Sequence, residues 1–428
     1  MANILVICPT QRDRRELVFA HVQKDHSFIF HNYEDTGFER IIAQGIGLLS
    51  KSFDPEYVIE KMLLLCKDRN IDGVMSSEDY PGSVFASVIN KNLGLYGADP
   101  EIVLRCQHKY YSRCDQLKYV PEATTRFFLI DPYSRNIKSC ALQFPVFIKP
   151  IKSFFSFYAN QANSKEELDF FVRSCVLPKE FLHQFNWFLK HYSSCKIDAR
   201  YLLVEELLSG IQVTVEGFVH NNEVTIMGIT DSVMFPGTIS FKRFDYPSCL
   251  PELVQKRMSV ITSCFVRGVG LNNTMFNIEM MYSERKDEIK IIEVNPRMAS
   301  QFADLYEKVD GYNSYSVLID LALGKRPTIQ KNKGRFACAA SFVLRVFEDK
   351  KVVQVPTEED LTCVHQAFPE SRVQIFVQPG QKLSDTFQDG KSFRYGLIHL
   401  GGTTKQDLLD RYNRCMRLLP FKFLPLAS

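Results

Sequence analysis

The chain has 428 residues, is 45% hydrophobic and 24% charged, and carries a formal net charge of +3. That length exceeds one ordinary core and predicts about two to four domains of a soluble globular protein. The charge is too small, and its signs too well mixed, to argue for nucleic acid or a membrane surface as a partner.

No apolar run is long enough to span a bilayer. The first residues, Met1-Ala2-Asn3-Ile4-Leu5-Val6-Ile7, lack a basic leader region and read directly as a strand, so a signal peptide is not expected. The 12 cysteines are scattered, with no CxxC pair. Zinc and a disulfide framework are therefore disfavoured, and a reducing cytoplasmic location fits.

An apolar strand at 4–8, a polar loop and a helical pattern from Glu16 make a β-loop-α opening, as in a doubly wound sheet. The loop has no glycine, so the G-x-G-x-x-G dinucleotide fingerprint is absent. Arg12, Arg14 and Arg15 face an anion or, more simply, water. A helix is predicted at 55–70, then a strand from Asp72 running into Glu78 and Asp79. Ligands of open α/β sheets bind beyond the carboxyl ends of strands, which makes these two acids substrate-side candidates. The alternative is that they cap the helix expected at 82–91.

One helix is predicted over 100–117, with Lys109 and Arg113 on the same face. Strands are expected at 121–130 and 144–150, around a turn-rich segment with Ser134 and Asn136, and Lys149 closes the second. Ser164 and Glu167 have capping-box spacing for a helix through Cys175. Trp187 reads as packing. A buried strand at 201–208 ends in Glu205 and Glu206; strands at 213–220 and 224–230 form a hairpin, and a helix covers 251–268. After Arg297 comes a helix-prone run to Leu323, then short strands and a last helix at 405–418, read as a small α+β domain.

The stretch from Phe276 to Arg297 reads as two strands joined by a charged turn. Alternation puts Glu279 opposite in face to Ile278 and Met280. On the second strand it groups Glu293 with Asn295 and Arg297, and Ile292 with Val294. Pairing the strands brings Glu279 near Glu293, where two carboxylates repel and are costly to bury. A hard cation between them removes the problem, and magnesium takes one or two carboxylates plus phosphate oxygens. Arg297 then suits a phosphate or carboxylate. The bland alternative is a surface hairpin with solvated charges.

Together these pieces resemble the ATP-grasp superfamily of carboxylate–amine ligases. The resemblance covers nearly the whole chain and is strongest in Phe276-Asn277-Ile278-Glu279 and Ile292-Glu293-Val294-Asn295-Pro296-Arg297. Within the superfamily the likeness is to biotin-carboxylase-like amide ligases, including L-amino acid ligases, carried by the domain order and by Phe244-Asp245-Tyr246-Pro247-Ser248. It implies an ATP-grasp fold, α/β and α+β in several domains. These are an N-terminal Rossmann-like domain at 1–105, an ATP-grasp domain at 106–335 with a lid lobe at about 125–207, and a C-terminal α+β domain at 336–428.

The resemblance also implies roles. Lys109 and Lys149 contact ATP phosphates. Glu205, Glu206, Leu207 and Leu208 form the hinge that reads adenine, in part through the Glu205 carboxylate. Gln212 stands where the family more often has an acid on the ribose. Glu279, Glu293 and Asn295 hold magnesium, or manganese in its place, and Arg297 steadies the transferring phosphoryl group. Glu78, Asp245 and Asp304 are candidate substrate contacts. The flap after Lys149 reads Ile151-Lys152-Ser153-Phe154-Phe155-Ser156-Phe157, without the family's glycines.

The expected activity is ATP-dependent joining of a small-molecule carboxylate to an amine, with amino acids the expected class, through an acyl phosphate. A homodimer is compatible with the resemblance. The alternatives are an ATP-binding regulatory protein that no longer turns over, and a carboxylase-like ligase that uses bicarbonate and a separate carrier.

Overall fold

The opening apolar run forms β1, Ala2–Ile7, between two parallel neighbours, β2 (His26–His31) and β3 (Gly73–Met75). A central parallel strand is covered on both faces, which is why Ile4, Leu5, Val6 and Ile7 are all buried instead of alternating. Helices α1 (Gln11–Phe19), α2 (Pro55–Asp68) and α3 (Val84–Leu93) belong to this layer. α2 starts where a capping residue meets a proline: Asp54 accepts the Glu56 N–H at 3.0 Å, with Pro55 in the first turn. The computed structural model describes residues 1–19, 25–32, 54–133, 142–153, 158–175, 179–386 and 392–426. Ser134, Asn136 and flap residues 154–157 lie outside the described residues.

The single helix expected at 100–117 is two, α4 (Pro100–Gln107) and α5 (Lys109–Tyr119). His108 breaks it with an extended backbone, φ −88 and ψ 97. Its ring caps α5 through the Tyr111 N–H and lies 3.0 Å from the Ile197 carbonyl, a partner that sequence periodicity does not reveal. Burial pushes this histidine down to about 4, so it is neutral near pH 7. The strand expected at 121–130 is likewise shorter, a turn at Pro121–Ala123 and then β4, Phe127–Ile130.

β4 joins an antiparallel sheet, in the order β4-β7-β5-β6, with β5 (Val146–Pro150), β6 (Asn160–Ala162) and β7 (Leu202–Glu206). Helices α6 (Lys165–Ser174) and α7 (Lys179–Tyr192) belong to this lobe. α7 buries Phe185 and Phe188, with Tyr80 edge-on to Phe185 at 5.3 Å. Trp187 stacks on His191 at 4.1 Å, as expected of a packing residue.

The described residues form two compact units. The first contains both sheets above, helix α8 (Glu252–Val269), and β8 (Ile211–His220), β11 (Thr274–Ser283) and β12 (Glu288–Asn295), ordered β12-β11-β8. β9, Glu223–Met234, begins in the first unit and ends in the second. The second continues with β10 (Phe241–Tyr246), β13 (Cys338–Val346), β16 (Phe393–Gly402) and β15 (Arg372–Ile375), in that order. Its core gathers Phe342, Leu344, Ile398 and Leu400 with Val364 and Leu408 from helices Glu358–Ala367 and Lys405–Arg417, and with Phe368, which caps the first of them. The helix-prone run after Arg297 is cut at Gly311 (φ 87) into Ala303–Asp310 and Ser314–Ala322.

Candidate active site

β11 and β12 pair antiparallel with Asn277 opposite Asn295 and Glu279 opposite Glu293. Beyond Glu279 the register shifts, so that Met280 faces Ile291 and Ile292 is left over. This bulge corrects the simple alternation read from the sequence. Val294 is buried, Ile292 only half-buried, and the two do not share an environment. The Ile292 carbonyl instead accepts a 2.8 Å hydrogen bond from Arg113.

The paired acids titrate apart. Burial, then the Glu293 carboxylate, push Glu279 up to about 7. Burial works the same way on Glu293, but Lys109 and then Lys149 outweigh it and hold that carboxyl below its usual range. Lys109 reaches Glu293 at 3.2 Å, and the Glu293 side chain is 35% exposed. Near neutrality Glu279 is therefore only partly ionised beside the Glu293 carboxylate. Gln212 donates to Glu279 at 2.9 Å. Asn295 donates its amide to Asn277 at 3.0 Å, and Asn277 donates to the Arg297 carbonyl at 3.0 Å. Asn295 thus keeps its carbonyl oxygen for a further partner. Two carboxylates and an amide oxygen suit a hard divalent cation that completes its shell with water and phosphate oxygens. In Arg297 one Nη donates to the Met298 carbonyl at 2.9 Å, and the buried Nε has no partner among the described residues.

A cationic wall faces these acids. Lys149, at the end of β5, meets one oxygen of Glu205 at 2.7 Å, and Arg113 holds the other. All three are buried. Burial opposes the charge on Glu205, yet Arg113 and Lys149 bring its carboxyl down to about 2. Burial pushes the Lys149 ammonium below its usual value, with Glu205 opposing. Glu206 turns away to Arg126 at 3.0 Å and the Thr125 hydroxyl at 3.2 Å. Leu207 and Leu208 follow, half-buried and beyond the end of the strand. Gly210 then needs its φ of 147, because a Cβ there would lie 2.1 Å from the Tyr282 carbonyl.

Glu78 is half-buried after β3 and makes no side-chain cap bond, so the capping alternative does not describe it. Its neighbour Asp79 pairs at 3.0 Å with Lys152, a residue that the sequence reading passed over as flap. The available signal was a second lysine three residues after Lys149. Asp245 and Asp304 belong to the second unit, each with its own partners. Arg243 holds both oxygens of Asp245 at 2.8 and 2.9 Å. Asp304 meets Lys308 and His399, each at 2.6 Å. The structure therefore gathers Lys109, Lys149, Glu205, Gln212, Glu279, Glu293, Asn295 and Arg297 in one unit, with Arg113, Asp79 and Lys152 added.

The sequence profile of the ATP-grasp domain matches residues 142–304, which span β5 to β12 and all of the carboxylate pair. Those residues carry an ATP-grasp domain. The chain's ATP-grasp fold is shared along almost the whole length by the L-amino acid ligase from Bacillus licheniformis, at 15% identity and a TM-score of 0.76, covering 99% of each chain. Phosphoribosylglycinamide synthetase from Anaerococcus prevotii follows at 16% identity and a TM-score of 0.66, covering 98% of this chain and 99% of that one. The biotin carboxylase domain of 2-oxoglutarate carboxylase from Hydrogenobacter thermophilus, solved with MgADP and bicarbonate, gives 11% identity and a TM-score of 0.67. That match covers 98% of this chain and 90% of that one. None of the curated proteins compared matches in sequence. Among the described residues, no helix is long and apolar enough to cross a membrane.

Proposed function

We propose that this ATP-grasp protein joins a carboxylate to an amine at the expense of ATP. The observation that carries the reading is Glu279 facing Glu293 across β11 and β12, with Lys109 and Arg297 in their field. Glu279, Glu293 and Asn295 would hold the magnesium. When bound, magnesium supplies charge neutralisation between these acids and the terminal phosphates of ATP.

The protein's own residues do the rest by position and field. Lys149 and Lys109 neutralise phosphate oxygens. Both oxygens of Glu205 already hold cations, so its part is to fix Lys149 and Arg113. Recognition of adenine then falls to the backbone of 206–208. Gln212 gives one amide hydrogen to Glu279 and keeps its carbonyl oxygen for the ribose. The substrate carboxylate attacks the γ-phosphorus, the bond to the bridging oxygen of ADP breaks, and an acyl phosphate forms. Arg297 stabilises charge on the equatorial oxygens. A neutral amine next attacks the acyl carbon, phosphate leaves, and the amine proton is lost to solvent. No protein nucleophile is needed.

A second reading rests on the missing glycines after Lys149: a nucleotide-binding regulator that does not turn over. A panel of amino acids with ATP and magnesium, scored for phosphate release, separates the two. Amino-acid-dependent release supports the ligase. ATP binding with no release from any pair supports the regulator.

A further inference from the structure

Asp79 opens the five-residue turn Asp79–Ser83 that carries β3 into α3. Its backbone carbonyl accepts from Gln107 at 3.0 Å and from the Ser83 hydroxyl. One carboxylate oxygen accepts from Lys152 at 3.0 Å. Lys152 also donates to Gln107 at 3.2 Å and lies 5.4 Å from the Tyr80 ring and 5.6 Å from that of Phe185. The other oxygen, Oδ1, is buried and has no hydrogen-bond partner among the described residues. A buried carboxylate oxygen left so is unfavourable until a donor reaches it. Asp79 is also within electrostatic reach of Arg297, Lys109 and Glu293, so this open acceptor belongs to the phosphoryl end of the site.

We propose that Asp79 Oδ1 receives the α-ammonium of an amino acid whose carboxylate is the group activated by ATP. The inference rests on the ligase reading and narrows it to amino-acid acyl donors. An α-amino acid carries its two charges only two bonds apart. Arg297 and the metal suit the carboxylate; Asp79 suits the ammonium beside it. The attacking amine does not fit this position, because an ammonium held in a salt bridge has no lone pair for attack. Lys152 keeps the Asp79 carboxylate in place and so acts as a positioning residue.

The test uses the full chain with ATP, magnesium and hydroxylamine, a neutral amine that traps acyl phosphates as hydroxamates. Three pairs are compared: L-alanine with propionate, L-phenylalanine with 3-phenylpropionate, and L-methionine with 4-(methylthio)butanoate. The wild type should prefer at least one amino acid to its des-amino partner. Asp79→Asn should lower kcat/KM for that amino acid by roughly 10- to 100-fold. Any loss for the des-amino acid should be much smaller, so that the preference itself collapses. Asp79→Glu, which keeps the charge, should retain the preference. Equal loss for both members of the pair, or an intact preference in Asp79→Asn, overturns the inference. If Asp79→Asn does not fold, absence of any preference in the wild type or its loss in Asp79→Glu does so. Calorimetry of the same pairs with a non-hydrolysable ATP analogue reads Asp79 without turnover. If no carboxylate yields hydroxamate while calorimetry still shows the preference and its loss in Asp79→Asn, the ligase reading fails and the ammonium site stands.

Discussion

Two clusters of acids, one in each unit, use burial in opposite ways. In the second unit Asp304 is 1% exposed and closed on both sides by Lys308 and His399; burial resists its charge, yet these partners hold its carboxyl well below the usual range. In the first, Glu279 and Glu293 face each other, and Glu279 rises to about 7. A buried acid whose charge is already matched is part of the architecture. A buried acid raised towards neutrality marks a candidate functional site, here the one proposed to take a cation.

Substitutions sharpen this contrast. Glu293→Ala should lower amino-acid-dependent ADP release by about 1,000-fold or more while the melting temperature stays within a few degrees. Near-normal turnover would remove the metal assignment. Asp304→Ala should do the reverse, costing about 3–5 kcal/mol in denaturant melts by stranding two buried partners. Loss of only a few tenths of a kcal/mol would show that the cluster is not structural.

Lys149→Ala should raise the ATP requirement roughly 10- to 100-fold, read by calorimetry, because it also strands Glu205. Unchanged ATP binding would end the phosphate assignment. The smallest effect is that of Glu279→Gln. With its carboxyl raised from 4.5 to about 7, the folded state holds a proton that the unfolded chain has lost. Without metal, stability should therefore fall as pH rises through that window. Magnesium affinity should rise over the same range and then level off, since the ion displaces the proton. Glu279→Gln should flatten both profiles and raise the metal-free melting temperature above pH 7 by a few degrees; a steeper thermal profile would contradict this origin of the shift.

The strands at β11 and β12, the lysine at the end of β5 and the acids closing β7 were legible because each is a local pattern in period and residue type. The misses have non-local causes. His108 breaks its helix through a carbonyl 89 residues away. Ile292 leaves the alternation at a bulge, whose carbonyl meets Arg113 from 179 residues away. Lys152 gains its meaning from Asp79, 73 residues earlier, and Glu205 its two cations from separate elements. Periodicity reports which face a side chain takes, not which distant group will meet it there.

The one flat guanidinium of Arg113 touches Glu205 on β7, Gln116 on its own helix and the Ile292 carbonyl beside Glu293. Such a plane has five donors in fixed directions and cannot follow one partner without disturbing the others. One rigid group thus ties β7 to the backbone next to the carboxylate pair.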